Sequence, residues 1–243
     1  MKLWGLAKRL LFPGLDLNTR CRYRFLPRYF RKGALDTLDA GCGNGALSYA
    51  AYRLGNRVLG VSYDDEQVRR NTEYFSAFIR ETDRLCFEKL NLYDLGRVDR
   101  RFDQIICSET LEHIRGDAEI VGYFHRLLRP GGSLHLCCPN ALHPENRLGR
   151  TDGPEDGGHV RDGYTLESYR ALLEPAGFRI VRHAGLGTPL LERIDRAVRG
   201  IRNRWGDAAA LPVFLATWPL QWLDRPDPVM PFSVYVEAVK EAS

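Results

Sequence analysis

Residues 38–45 read LDAGCGNG and follow a short apolar run, which places a glycine-rich turn directly after a predicted strand. Three glycines within five residues allow the backbone to turn tightly and let a ligand approach bare main chain, where a Cβ atom would intrude. The pattern is typical of a nucleotide-cradling turn in an α/β fold. Residues 41–46 also match the dinucleotide pattern G-x-G-x-x-G/A, so two classes of cofactor are open at this point.

A dinucleotide site has an Asp or Glu about 20 residues further on, at the end of the second strand, and this sequence has Ser62 there. The other motifs, in order, are VLGVSYDDEQVRRN (58–71), FDQIICSETLEHI (102–114), LLRPGGSLHLCCPN (127–140) and GHVRDGYTLESYRALLEPAGFRIV (158–181). Together with the glycine turn, they resemble the class I S-adenosylmethionine-dependent methyltransferases over residues 34–183. The ubiquinone-pathway O-methyltransferases are similar members of that family. The resemblance implies S-adenosyl-L-methionine as the cofactor.

Apolar strand-like runs alternate with helical stretches of ten or more residues, which predicts βα units and a mainly parallel sheet with helices on both faces. Predicted strands lie at 35–39, 57–62, 85–90, 102–107, 133–138, 178–183 and 232–239, and predicted helices at 46–54, 65–79, 118–128 and 165–174. The resemblance implies a Rossmann-like, doubly wound sheet of seven strands, mostly parallel with an antiparallel last strand. An N-terminal helical cap and a helical insertion before the last strand complete the predicted fold.

The 243 residues, 44% hydrophobic and 27% charged, suit a single globular domain. We predict a basic N-terminal cap (1–33), a cofactor-binding core (34–187), a helical insertion (188–230) and a closing strand (231–243). The six cysteines show no C-x-x-C spacing, which predicts reduced thiols in a cytoplasmic protein. The sequence predicts neither a signal peptide nor a membrane span.

Two segments are candidates for contact with a membrane surface. Residues 1–32 carry nine Lys or Arg against the single Asp16, although the net charge of the chain is only +4. This leader predicts an amphipathic helix that either meets an anionic surface or caps the active site. Residues 190–223 combine regularly spaced arginines with an apolar run that contains two tryptophans. They predict either contact with an interface or a lid packed on the domain, and we expect a small-molecule acceptor of amphipathic or anionic character.

The resemblance assigns cofactor-binding residues to the ends of four strands: Asp39, Gly41, Cys42, Gly43 and Gly45; Ser62, Tyr63, Asp64 and Gln67; Asn91 and Leu92; Cys107 and Ser108. Asp39 would bind the ammonium group of the cofactor by charge-assisted hydrogen bonding. Ser62 replaces the acidic residue that in the family binds the ribose, and Asp64 is a candidate substitute. Asn91 replaces the Asp that accepts from the adenine amine, and an amide oxygen accepts the same bond.

Two carboxyl groups, a hydroxyl and an imidazole follow the fourth predicted strand in the segment Glu109-Thr110-Leu111-Glu112-His113. If the segment is helical, Glu109, Glu112 and His113 share one face, and His159 is the best candidate for a fourth ligand. The set is similar to the divalent-metal site of ubiquinone-pathway and small-RNA 2′-O-methyltransferases. Oxygen ligands favour Mg²⁺ or Mn²⁺, while the imidazoles leave Zn²⁺ or Fe²⁺ open. Without a metal, His113 or His159 is the natural general base, with Glu112 beside it.

Three further side chains are candidates for contact with the acceptor. His143 lies in the loop after the fifth predicted strand, and Arg161 and Tyr164 flank the turn that holds His159. Each has an ordinary structural interpretation as well, as a loop histidine, a surface charge or a packed aromatic ring.

We therefore predict an S-adenosylmethionine-dependent enzyme that methylates a hydroxyl of a small acceptor such as a sugar, a phenol or catechol, or a lipid-linked metabolite, with or without metal assistance. A second hypothesis is 2′-O-methylation of RNA, against which the sequence shows no recognisable RNA-binding module. A third is a non-catalytic cofactor-binding or membrane-associated scaffold, suggested by Ser62 and Asn91 in place of acids.

Overall fold

A computed structural model describes residues 12–147, 155 and 157–241. Residues 1–11, which form the first part of the predicted leader helix, lie outside the described residues. The seven strands are β1 (Asp36–Ala40), β2 (Arg57–Ser62), β3 (Leu85–Lys89), β4 (Phe102–Ser108), β5 (Leu128–Pro139), β6 (Phe178–Leu186) and β7 (Ser233–Lys240). They form one sheet in the order β3-β2-β1-β4-β5-β7-β6.

Neighbouring strands from β3 to β5 are parallel, and β7 is antiparallel to both β5 and β6. The predicted Rossmann-like sheet with an antiparallel last strand is confirmed. The strand order reverses between β1 and β4, which places a crevice at the carboxyl ends of these two strands. β5 begins five residues earlier than predicted, because the chain pairs with β4 at Leu128 before Gly131 adopts a positive φ of 70°.

The α-helices are α1 (Leu17–Phe25), α2 (Ala46–Arg53), α3 (Asp65–Ser76), α4 (Asp117–Leu127), α5 (Leu166–Leu173), α6 (Pro189–Trp205) and α7 (Asp207–Thr217). Short 3₁₀ helices occupy Leu26–Arg28, Thr82–Arg84, Leu92–Arg97, Leu111–His113, Pro144–Asn146, Glu174–Ala176 and Trp218–Leu223. No helix among the described residues has the length and apolar character that crossing a membrane requires.

One hydrophobic cluster covers each face of the sheet. The first packs α4 and α5 on the sheet around Phe124 and Tyr169, both fully buried. The second contains α1, α6 and α7, with Leu17, Leu191 and Phe214 buried against the strands. The helical part of the predicted cap and the predicted insertion therefore cover the same face of the sheet. The proposed division of the chain into segments of one domain stays a prediction.

The insertion helix α6 is fixed to α1 by a buried carboxylate. Asp195 accepts a hydrogen bond of 2.9 Å from the backbone N–H of Leu17 and lies 3.0 Å from the guanidinium of Arg199. Leu17 is the first residue of α1, so Asp195 satisfies one of the N–H groups that a helix leaves without an intrahelical partner. Residues 178 positions apart in sequence meet in this bond, and no local pattern predicts it.

Stability should fall in mild acid because of His135. This imidazole is buried in β5 beside Tyr235, and burial lowers its pKa from 6.5 to about 3. His135 of the unfolded chain binds a proton below about pH 6.5, whereas His135 of the folded chain binds one only near pH 3. The contribution of neutral His135 to the free energy of unfolding is therefore present above pH 6.5 and is lost as the pH falls from 6.5 towards 3. From pH 7 to pH 5 this group alone should cost about 2 kcal/mol of unfolding free energy.

Urea denaturation of the wild type and His135→Gln at both pH values checks this expectation, because glutamine has no proton to gain in this range. The variant should lose about 2 kcal/mol less than the wild type between pH 7 and pH 5. Equal losses in the two proteins would contradict the assignment.

Candidate active site

The glycine turn connects β1 to α2 and is held by main-chain bonds. The N–H groups of Gly41 and Cys42 both donate to Val61 O of β2, at 3.0 and 2.9 Å. A Cβ atom at Gly41 would lie 2.3 Å from Thr110 Oγ1, and one at Gly45 would lie 2.6 Å from the ring of Phe75. A Cβ at Gly43 would have no atom of the described residues within 4 Å. Two of the three glycines are thus required by protein packing, and Gly43 faces open space.

That open space is a cavity of about 510 Å³ at the carboxyl ends of β1, β2, β3 and β4. Its wall consists of Gly41, Gly43, Val61, Ser62, Tyr63, Gln67, Leu90, Asn91, Leu92, Glu109, Thr110, His113, Ile114, Glu155 and Gly157. The described wall contains two carboxylates and an imidazole but no lysine or arginine. Such a wall suits a ligand that carries positive charge, as the sulfonium and ammonium groups of S-adenosylmethionine do.

Ser62 lies at the end of β2, where the resemblance predicts the ribose contact. Its hydroxyl donates to Gln67 Oε1 at 2.7 Å, so serine and glutamine form one polar pair on the wall. Tyr63 is 70% exposed and lies at the rim. Asn91 and Leu92 follow β3 on the same wall, and Asn91 Oδ1 accepts from the N–H of Tyr93 at 3.1 Å. These predicted residues do line one cavity.

The structure places two predicted carboxylates away from the cavity. Asp39 is buried behind the turn, where Ser48 of α2 donates to its Oδ2 at 2.5 Å. Burial raises the pKa of Asp39 to about 6, against the hydrogen bonds from Ser48. Asp64 caps α3 by accepting from the N–H of Glu66 at 2.9 Å. These two roles were not predicted. A carboxylate that caps a helix, or that accepts from a neighbouring helix, stands in the same local sequence as a carboxylate that binds a ligand.

The predicted cysteine contacts are also structural. Cys42 is 6% exposed, and burial raises its pKa out of the range in which a thiolate would form near neutral pH. Cys107 is completely buried in the cluster that packs α4 and α5 on the sheet. Gly45, Cys107 and Ser108 do not belong to the cavity wall among the described residues.

The segment after β4 is not the predicted helix. Glu109 has a left-handed φ of 53°, and only Leu111–His113 form a 3₁₀ turn. Glu109 Oε2 lies 3.3 Å from the guanidinium of Arg22 in α1, and Oε1 accepts from the hydroxyl of Ser233 at 3.3 Å. The prediction of one shared helical face for Glu109, Glu112 and His113 is therefore wrong, and Glu109 connects the turn to α1 and β7.

The remaining three predicted ligands do come together. Glu112, His113 and His159 each offer one ligand atom, and these atoms lie within 4.8 Å of one another. Glu112 is completely buried, and neither carboxylate oxygen has an N–H or O–H donor among the described residues. Burial, and next the charge of Glu109, raise the pKa of Glu112 to about 8. An unsatisfied buried carboxylate of this kind needs a proton or a cation.

The orientation of His113 is set by a backbone carbonyl. Its Nδ1 lies 3.0 Å from Gly158 O, and because a carbonyl oxygen only accepts, Nδ1 carries the proton. The other nitrogen, Nε2, then presents a lone pair 3.7 Å from Glu112 Oε1. His159 stacks edge-on against His113 at 4.6 Å, and its Nδ1 is buried without a described partner. Burial and the neighbouring His113 lower the pKa of His159, which keeps it neutral.

The three candidate acceptor contacts have structural partners. Arg161 pairs with Asp117 at the start of α4, and the Tyr164 hydroxyl donates to the same carboxylate at 2.7 Å. His143 is 6% exposed, and its Nε2 lies 3.2 Å from Glu192 Oε2 of α6. These contacts hold the His159 loop to α4 and the loop after β5 to the insertion.

Several wall residues were not predicted. Thr110 lies inside a recognised motif and fills the space behind Gly41. Glu155 accepts from the hydroxyl of Tyr93 at 2.9 Å and from the N–H of Arg115 at 2.5 Å, in a loop with no motif of its own. Thr110, Val61 and Ile114 lie inside recognised motifs and could have been suspected from the sequence, whereas Glu155 could not.

Known proteins share this fold and these motifs. The sequence profile of the family described as methyltransferase domain matches residues 16–183. The mitochondrial ubiquinone biosynthesis O-methyltransferase of Rattus norvegicus is 28% identical over 158 residues, which cover 61% of this chain and 46% of that protein. The 27-O-demethylrifamycin SV methyltransferase of Amycolatopsis mediterranei (strain S699) is 32% identical over 146 residues, or 58% and 52% of the two chains.

A solved structure of an S-adenosylmethionine-dependent methyltransferase from Mesorhizobium loti superposes with a TM-score of 0.62 at 21% identity, covering 93% of this chain and 100% of that one. The sheet order and the cavity beside a glycine turn define a Rossmann-like enzyme fold with a nucleotide-type site. The chain belongs to the class I S-adenosylmethionine-dependent methyltransferases. It spans about half the length of the curated relatives that it matches.

Proposed function

We propose that this protein, acting as one domain, transfers the methyl group of S-adenosylmethionine to a hydroxyl oxygen of a small acceptor. The observation that carries the proposal is the cluster of Glu112, His113 and His159, whose His113 reaches the wall of the cofactor cavity. Two similar proteins are named as O-methyltransferases, and oxygen is an acceptor that needs help to lose its proton. RNA methylation gains no support from the described cavity wall, which contains no arginine or lysine.

Methyl transfer from a sulfonium is an in-line displacement, so the acceptor oxygen must be held about 3 Å from the methyl carbon while its proton leaves. Burial and the neighbouring His113 lower the pKa of His159, which favours the unprotonated ring that a general base requires. The bond from His113 Nδ1 to Gly158 O keeps the orientation of the His113 ring, and a methyl donor bound in the cavity would lie beside this ring, because His113 belongs to the cavity wall.

We propose a second route to the same deprotonation, in which Glu112, His113 and His159 hold a divalent cation and His159 is a ligand instead of the base. Two orphaned carboxylate oxygens and one orphaned imidazole nitrogen fit such an ion, and one carboxylate with two imidazoles is a donor set for Mn²⁺, Fe²⁺ or Zn²⁺ as well as Mg²⁺. When bound, the ion would supply Lewis-acid polarisation that lowers the pKa of an acceptor hydroxyl. His113 Nδ1 then acts as the outer hydrogen-bond donor that orients a ligand imidazole.

The proposed cofactor contacts remain those of the cavity wall: Gly41, Gly43, Ser62, Tyr63, Gln67, Asn91 and Leu92. The replacement of family acids by Ser62 and Asn91 leaves the cavity in place, which supports cofactor binding. The predicted leader contact with a membrane is not supported for residues 17–25, because these form α1 and pack against α6 and the sheet. Contact of residues 190–223 with an interface stays part of the proposal.

Isothermal titration with S-adenosylmethionine tests cofactor binding directly, and a 1:1 complex is expected. S-adenosylhomocysteine release should then be screened against catechols, sugars and lipid-linked phenols, each with Mg²⁺, with Mn²⁺ and with chelator. Methylation of a hydroxyl-bearing acceptor is the expected result. Binding of the cofactor together with methylation of amines alone would overturn the O-methyltransferase proposal, and no binding would overturn enzyme function altogether.

A further inference from the structure

The insertion leaves an apolar surface open to solvent. Eight of the eleven exposed large hydrophobic side chains of the described residues lie between positions 188 and 230. They are Leu190, Trp205, Leu215, Leu220, Trp222, Leu223, Val229 and Met230. Isolated exposed apolar residues are ordinary, but their concentration in one segment marks an interaction surface. We call the solvent side of residues 188–230 the insertion surface.

Most of helix α7 is exposed to solvent. Its sequence DAAALPVFLAT has one charged residue, Asp207, yet only Ala210 and Phe214 are buried. A helix that is apolar all round is normally buried within a protein or a membrane. The inner side of α7 packs on the domain, as the lid interpretation predicts, while its outer side faces solvent.

The insertion surface carries an excess of positive charge. Residues 188–230 contain six arginines and five acidic residues, but Glu192, Asp195 and Asp224 are buried. Asp207 and Asp227 are the two acids that reach solvent. Arg196 pairs with Glu145 and Arg199 with Asp195. The arginines with no ion pair among the described residues outnumber the two exposed acids and leave a basic excess, which attracts anionic headgroups; they are Arg193, Arg202, Arg204 and Arg225.

Arginines also lie directly on the aromatic rings of this region. The Arg24 guanidinium lies 4.7 Å from the ring of Trp222, and that of Arg204 lies 5.1 Å from Trp205. Trp222 is 71% exposed and Trp205 is 64% exposed, so each pair offers an apolar ring and a cation side by side. Tryptophan prefers the boundary between headgroups and acyl chains, where arginine meets phosphate.

We propose that the insertion surface docks this protein onto an anionic phospholipid bilayer, with Trp222 and Leu223 entering the headgroup region and the exposed arginines contacting lipid phosphates. The contact is peripheral. It does not depend on methyl transfer, and it extends the proposed function by bringing the cavity to a membrane where an amphipathic acceptor would reside.

The test is flotation of the full chain with vesicles of phosphatidylcholine alone and of phosphatidylcholine mixed with phosphatidylglycerol. Wild type should float with the anionic vesicles and far less with the neutral ones. Trp222→Ser combined with Leu223→Ser should reduce binding by about tenfold or more, since two apolar contacts are lost. Arg204→Glu combined with Arg225→Glu should reduce binding to the anionic vesicles by at least about tenfold.

Val181→Ser is the matched control, because Val181 is 43% exposed but lies on the edge strand β6, outside the insertion surface. It should float like wild type, and S-adenosylmethionine titration should show that all variants keep the folded core. Equal flotation of wild type and Trp222→Ser with Leu223→Ser would overturn the proposal. The proposal would also be overturned if the wild type bound neither kind of vesicle and formed a dimer, while the double-serine variant was a monomer. The insertion surface would then join two copies of the chain.

Discussion

Glu112→Gln should weaken Mn²⁺ binding by about 100-fold or more while leaving the affinity for S-adenosylmethionine within about twofold of wild type. Glutamine keeps the volume of this completely buried side chain and removes its charge. The amide can donate to the lone pair of His113 Nε2, which lies 3.7 Å from Glu112 Oε1 in the wild type. The amide hydrogens of the variant therefore take the position between Glu112 and His113 where the wild type would hold a proton or a cation. Titration calorimetry with Mn²⁺ and with the cofactor measures both affinities.

Glu109→Gln is the matched control, since the sequence alone made Glu109 and Glu112 equal candidates. Glu109 faces Arg22 and Ser233, so its amide variant should bind Mn²⁺ like wild type. It should instead lower the unfolding free energy by about 1–3 kcal/mol, because the nearly buried Arg22 loses its carboxylate. Equal loss of Mn²⁺ affinity in both variants would show that Glu109 turns to join the ligands. A wild type that binds no divalent ion would remove the metal proposal and leave His159 as the base.

The strands were predictable because each is short, apolar and bounded by a turn or a helix start. The predicted runs at 57–62 and 102–107 agree with β2 and β4 to within one residue. β5 was predicted to start at Ser133 and starts at Leu128, because Leu128 already pairs with Phe102 of β4 and the pairing resumes at Ser133, beyond a proline and two glycines that usually end an element. Strand pairing across the sheet overrode the local signal.

The position of a site residue was predictable where the path of the backbone sets it. It was not predictable where a side-chain partner distant in sequence sets it. Gly43, Ser62 and Asn91 line the cavity because strand ends in this fold meet at one edge. Glu109 was misplaced because its partner, Arg22, lies 87 positions earlier, and because helical spacing was assumed where φ is 53°. A strained backbone of this kind is visible only in the structure.

The surroundings of the insertion were also not predictable from the local sequence. Its amphipathic pattern predicted a helix, and α6 is one, but the pattern could not choose between a lid and an interface. The structure packs one side of the segment on the domain and leaves the other side exposed. Leu191 and Val198 are buried against the domain, while Trp205 and Trp222 are exposed.

Gly43→Leu should abolish measurable binding of S-adenosylmethionine while the protein stays folded. Any side chain at this position would project into space where no atom of the described residues lies within 4 Å, which is the cavity itself. A leucine there would occupy room in the cavity proposed to hold the cofactor, so the affinity should fall by about 100-fold or more. The positive φ of 52° adds about 1–2 kcal/mol of backbone strain, which lowers the melting temperature modestly.

Gly131→Leu separates the two effects, because Gly131 has a φ of 70° and equally open surroundings but lies at the start of β5, outside the cavity wall. Both variants should show a similar drop in melting temperature by circular dichroism, and only Gly43→Leu should lose cofactor binding by calorimetry. Retained affinity in Gly43→Leu would mean that the cofactor does not approach the main chain of the turn. The cavity would then have to serve another ligand, because Gly41 and Gly45 are already explained by Thr110 and Phe75.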